Sequence, residues 1–209
     1  MLGANPYFVA VYAPNNFFLC GGTIINLNHV LTLGTCLLFG DNLLYIPNQI
    51  TVAAGLVVIN VTTNRLVAQA LYVNTRTNTF TSDNDIGVIR TVTSFVFPTV
   101  AVPNIAPAIL NTRIIADASV CQFVGWNLVG NVQTQQFLAS HPIINRDICN
   151  NLPLNLGRIS DTMTCAGFIT AGAGPCVQNR GGVLVCSGIV SGILSSGFGC
   201  GQGLFELYL

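Results

Sequence analysis

Short β-branched and aromatic runs fill this chain and helical periodicity is almost absent, which constrains its fold more than any other feature. "YFVAVY", "GGTIIN", "HVLTLGTC", "ITVAAGLVVINV", "DIGVIRTV", "VCQFVGW" and "GGVLVCSGIVSGIL" follow one another, separated by clusters of Asn, Gly, Pro and Thr. Such runs bounded by turn residues, with little helical periodicity, predict an antiparallel barrel or sandwich. One helical turn is expected at "NRDICNNL", where Asn145 is placed to cap it. Pro98, Pro103 and Pro107 punctuate a strand-poor connector, which divides the chain into an N-terminal half, 1–107, and a C-terminal half, 108–209. With 209 residues, both halves have ample core.

Charge excludes several function classes. Only 7% of residues are charged and the net charge is zero, so nothing steers the chain to nucleic acid or an acidic membrane surface. All seven basic residues are arginine. A net charge near zero favours self-association. The longest uncharged apolar stretch, Gly181 to Gly199, is interrupted by Gly, Ser and Cys and reads as two strands and a turn, not as a membrane span. Eight cysteines without a C-x-x-C pair, beside only two histidines, predict an oxidising compartment and neither a metal site nor a cofactor. Eight cysteines allow 105 pairings, and spacing alone does not choose among them. "MLGANPYFVAVY" has no charged leader region, so the expectation is a processed or trimmed portion of a secreted precursor. Asn60-Val61-Thr62 is a glycosylation sequon.

In this order, the segments resemble the trypsin/chymotrypsin-like serine protease family over nearly the whole chain. "PYFVAVY" resembles the family's first barrel strand, "CGGTII" with "HVLTLGTC" its first bridged hairpin, and "NDIGVIR" the strand of the triad aspartate. "VCQFVGW" resembles the opening of the second barrel, "DICN" to "MTCAG" its bridged loop, and "CVQNRGGVLVC" with "GIVSG" the nucleophile loop and pocket strand. The resemblance implies an all-β fold, a single domain 1–209 of two six-stranded antiparallel β-barrels stapled by disulfides. It implies the pairs Cys20–Cys36, Cys121–Cys186, Cys149–Cys165 and Cys176–Cys200.

The family's reaction needs a hydroxyl nucleophile, an imidazole base and a carboxylate that orients the base. Where the resemblance places the base stands Thr35, where it places the nucleophile stands Arg180, and Asp85 matches the aspartate. A threonine hydroxyl has no useful basicity near neutral pH, and a guanidinium stays protonated. His29 and His141 fall elsewhere, as ordinary surface or strand histidines. Gln178 replaces the oxyanion-hole glycine, and Asn179 replaces an aspartate that pairs with a liberated amine. Gly174, Pro175, Ser191, Gly192 and Ile193 resemble the base and wall of the specificity pocket, with no acid there to hold Lys or Arg. Two arrangements are open for Arg180. It reaches Asp85 through the space a histidine would fill, with the Thr35 hydroxyl beside it. Otherwise it points to solvent, and Asp85 is satisfied by backbone N–H groups and Ser191.

The expectation is therefore a catalytically inactive, secreted, extracellular homologue that works by binding an active protease, an inhibitor or a substrate, as a cofactor or decoy in a proteolytic or immune pathway. The alternatives are a gut-lumen sink for protease inhibitors and a structural or storage protein. The lack of lysine is similar to digestive proteases of plant-feeding moth larvae and gives the chain an insect-like character.

Overall fold

The computed structural model describes residues 5–56, 58–59, 65–99, 104–129, 132–135, 139–152, 155, 157–167, 179–197 and 206–209. The first half contains strands β1 (Phe8–Tyr12), β2 (Phe18–Ile24), β3 (His29–Thr32), the small pair β4 (Leu38–Phe39) and β5 (Leu43–Leu44), then β6 (Thr51–Ala53), β7 (Leu66–Val73) and β8 (Gly87–Thr91). The second contains β9 (Val120–Val124), β10 (Trp126–Val129), β11 (Val132–Gln135), β12 (Ala139–Ile144), the short helix α1 (Arg146–Asn150), β13 (Thr164–Ala166), β14 (Val183–Cys186), β15 (Ile189–Gly197) and β16 (Glu206–Tyr208). Two closed barrels result, in the order β1-β2-β3-β8-β7-β6 and β12-β13-β16-β15-β14-β9. Closure leaves neither sheet a long unpaired edge.

Strand β1 shows why a half-barrel reads as an unbroken apolar run. Val9 and Val11 enter the first barrel's core with Ile24, Val30, Val52 and Ile89. Phe8, Ala10 and Tyr12 face the other way, into a seam shared with Val124, Trp126, Val183, Val185 and Val190 of the second barrel. Both faces of β1 are buried, so no polar alternation survives. By contrast, β7 buries Ala68 and Leu71 and leaves Val67 and Tyr72 exposed. The Phe8 and Trp126 rings stack at 5.4 Å, and the Trp126 indole N–H donates to the Val9 carbonyl at 3.2 Å. Burying each such aromatic side chain contributes about 2–3 kcal/mol.

The predicted helical turn is α1. The Asn145 side chain caps it by accepting from the Asp147 and Ile148 N–H groups at 3.0 and 3.3 Å. Within the run "ITVAAGLVVINV", β6 stops at Ala53, and Gly55 turns the chain at φ +69°, a left-handed conformation that ends extended pairing. Among the described residues, three disulfides join Cys20 to Cys36, Cys121 to Cys186 and Cys149 to Cys165. Cys176 and Cys200 lie outside the described residues. Among the described residues, no helix is long and apolar enough to cross a membrane.

Candidate functional site

Thr35 opens a short 3-10 turn, Thr35–Leu37, directly after the loop that follows β3, and the Cys20–Cys36 disulfide ties this turn to β2. Asp85 sits just before β8 and is fully buried. Its Oδ1 accepts the Thr35 backbone N–H at 2.6 Å, and its Oδ2 accepts the Thr35 hydroxyl at 2.6 Å. These groups belong to the first barrel.

The second barrel supplies the rest. Arg180 precedes β14 in a turn closed by the Gly182 N–H on the Asn179 carbonyl at 2.8 Å. The next residue, Gly181, has φ +76°, and a Cβ there would come within 2.2 Å of the Gly21 carbonyl oxygen. The glycines are what let the two barrel backbones touch. The Gly21 N–H donates to the Arg180 carbonyl at 2.8 Å. From this anchored position the guanidinium turns back into the seam. Its Nε donates to the Ser195 carbonyl at 3.1 Å, and its Nη2 donates to the Thr35 hydroxyl and lies 3.5 Å from Asp85 Oδ2. The Ser195 hydroxyl donates to the same carboxylate oxygen at 3.0 Å. Four side chains from two barrels thus form one network around a buried charge, the arrangement a desolvated carboxylate requires. Of the two arrangements open for Arg180, the chain adopts the one that reaches Asp85.

The serine on Asp85 is Ser195, not Ser191, whose hydroxyl instead donates to the Ile189 carbonyl at 3.0 Å. The cause is register. Val183 pairs with Ile193, and the Gly181 N–H reaches the Leu194 carbonyl at 2.9 Å, so Arg180 lies beside Ser195. Ser191 is four strand residues earlier, about 13 Å along β15. Ser191, Gly192 and Ile193 line a different feature, a cavity of about 720 Å³ shared with Leu31, Ile86 and Leu110, and Thr35, Asp85 and Arg180 are not among its lining residues. Ser195 was legible only in "ILSSG", four residues beyond the serine that the local pattern favours.

The remaining predicted positions divide cleanly. Asn179 is buried in the turn before Arg180. Gln178, Gly174, Pro175 and the Asn60 sequon lie outside the described residues. His29 begins β3 and its ring bonds the Asn26 side chain at 2.9 Å, while His141 is buried on β12 against Phe123. No histidine joins the network. Among the described residues, no cluster of His, Cys, Asp or Glu is suited to a metal ion.

Two closed antiparallel barrels, joined by a seam that brings one carboxylate of the first against the loop before β14 of the second, define the double-barrel class of protein. Comparison with known sequences places the chain within that class: the family described as Trypsin matches residues 1–208. This chain belongs to the trypsin family. It is 31% identical over 204 residues to chymotrypsin-2 of Vespa crabro, covering 96% of this chain and 87% of that protein. It is 26% identical over 208 residues to trypsin-2 of Salmo salar, covering 95% and 81%, and 29% identical over 205 residues to serine protease 1 of Canis lupus familiaris, covering 94% and 76%.

Proposed function

We propose that this chain is a secreted trypsin-family protein that acts by binding another protein and has no peptidase activity of its own. The observation that carries this reading is Arg180, which occupies the position resembling the nucleophile and is bonded to both Thr35 and Asp85. Attack on a carbonyl needs a hydroxyl whose proton passes to a neighbouring base. The Thr35 hydroxyl gives its proton to Asp85 and accepts from Arg180, and the Ser195 hydroxyl also donates to Asp85. The guanidinium is permanently protonated, so it is neither nucleophile nor base. The double-barrel fold of the family persists around this site. The partner class is accordingly an active protease, a protease inhibitor or a substrate held without cleavage. Disulfides within each half and the lysine-free composition support an oxidising, extracellular setting.

Two measurements test the reading. The disulfide-intact protein is expected to show no amidase activity on peptide substrates and no labelling by serine-directed phosphonylating reagents. Stoichiometric labelling mapped to a peptide of this chain would overturn it. Affinity capture from the native extracellular fluid is expected to retain a protease, a protease inhibitor or a protease substrate, and capture of none of them would remove the binding role.

A further inference from the structure

Two residues before Asp85, the same loop carries a second carboxylate that meets the opposite barrel. Asp83 Oδ1 accepts the Ser160 hydroxyl at 2.5 Å and the Thr162 hydroxyl at 2.6 Å. Both donors lie on the segment between α1 and β13, 77 and 79 residues further along the chain. The Thr162 N–H bonds the Ser160 hydroxyl oxygen at 3.3 Å, which sets the two hydroxyls side by side before they meet the carboxylate.

The loop on the other side of this contact is strained. Ser82 and Asn84, which flank Asp83, stand at φ +61° and +51°, left-handed conformations that cost a non-glycine residue free energy and persist only where surrounding contacts hold them. Inside the loop, the Thr77 hydroxyl bonds the Asn84 carbonyl at 2.8 Å, and the Asn78 N–H bonds the Asp83 carbonyl at 2.9 Å. The contact with Ser160 and Thr162 ties the loop to the second barrel two residues ahead of the Asp85 network.

We propose that Asp83 is an acid-releasable clasp between the barrels, which holds the 82–85 loop in the strained form that delivers Asp85 to Thr35 and Arg180. Its charged surroundings leave it free for this role. Asp85 on its own loop is committed to the seam network, Asp161 between the two hydroxyls bonds Arg146 at 3.1 Å, and neither Arg146, Arg158 nor Arg76 bonds Asp83 among the described residues. The hydroxyls of Ser160, first, and Thr162, second, hold the Asp83 carboxyl below its ordinary value of 3.8. A carboxyl lowered in the folded state contributes stability that is complete above 3.8 and lost as pH falls through the lowered value. Acid therefore weakens this contact, and the inference stands apart from whether the protein cleaves peptides.

The test is amide hydrogen exchange on the whole disulfide-intact protein, corrected for intrinsic rates. At neutral pH, Asp83→Asn is expected to speed exchange of the Ser160–Thr164 amides by about tenfold. The Thr35 amide, which donates to Asp85, is expected to quicken with them. Wild type reaches the same rates only when titrated below 3.8, and Asp161→Asn stays like wild type. Wild-type rates in Asp83→Asn, or quickening confined to 160–164 with the Thr35 amide unchanged, would overturn the clasp. Should Asp83→Asn fail to fold, the wild-type Asp83 carboxyl is titrated by NMR beside a Ser160→Ala, Thr162→Val variant. Its midpoint is expected to rise toward 3.8 in the variant, and an unchanged midpoint refutes the proposal.

Discussion

Arg180 Nη2 lies 3.5 Å from Asp85 Oδ2 across the seam between the two barrels, and the Thr35 hydroxyl joins both groups. The cation and the carboxylate come from different barrels, 95 residues apart in sequence. Their meeting depends on the assembled fold, not on local structure. Asp85 is fully buried, whereas the Arg180 side chain is 33% exposed, so solvent screens the pair only from the arginine side.

Arg180→Ala is expected to destabilise the protein by about 2 kcal/mol, at the modest end for loss of a cation beside a buried carboxylate because one partner is partly solvated and three donors remain. Urea unfolding should show a lower midpoint with an unchanged slope. Adding Asp85→Asn is expected to recover part of the loss, since a neutral amide needs no counter-charge. Arg180→Ala at wild-type stability would show that the pair contributes nothing.

Restoring the residue types of the triad should not restore a protease. In Thr35→His with Arg180→Ser, Gln178 and Asn179 still occupy the supporting positions, and each missing oxyanion donor costs on the order of 10²–10³ in rate. Steady-state hydrolysis of peptide amides by the double variant is the measurement. Turnover near 10 s⁻¹, about the median for enzymes, would show that the supporting shell is intact.

Gly181→Ala is expected to lower stability by about 3 kcal/mol or more, or to abolish folding. The new Cβ would come within 2.2 Å of Gly21 O at φ +76°, which combines a backbone clash with a conformation disfavoured for alanine. Gly188→Ala is the control: it has φ +80° but no neighbour within 4 Å of the added carbon. Thermal midpoints of the two variants separate steric wedging from backbone strain, and equal losses would remove the wedge.

Burial pushes the Tyr7 phenol up to about 12 from 10.0. An acid whose pKa is raised by folding stabilises the native state fully below 10.0, and that contribution is lost as pH climbs toward 12. Tyr7→Phe should flatten this part of the stability profile, read from denaturant midpoints over that range. A profile identical to wild type would place the alkaline sensitivity elsewhere.

Local features were legible in the chain, and contacts across the seam were legible only in part. Asn145 announced its cap because capping acts over three residues, and the strand runs announced the barrels because closure demands many short apolar segments. The placement of Thr35, Asp85 and Arg180 at one point followed from resemblance to a family. The direction of the Arg180 side chain did not, because it depends on the space left when Thr35 stands at that position. Ser191 was named and Ser195 was missed because sequence shows neither the register of β14 on β15 nor the irregularity between Leu194 and Ser196. Asp83 carried no signal at all: its partners lie in the other barrel, and a lone aspartate before "ND" reads as an ordinary turn residue.

Trp126 is the chain's single tryptophan, and it is packed on Phe8 at the seam with its indole bonded to β1. Its fluorescence therefore has one source, placed where the halves meet and not within either barrel's own core. A red shift of its emission reports water entering between the barrels, even while each barrel keeps its sheet signature in circular dichroism. The molecule thus carries a built-in optical gauge of the plane between its halves, one that separates parting of the halves from melting of either half without any attached dye.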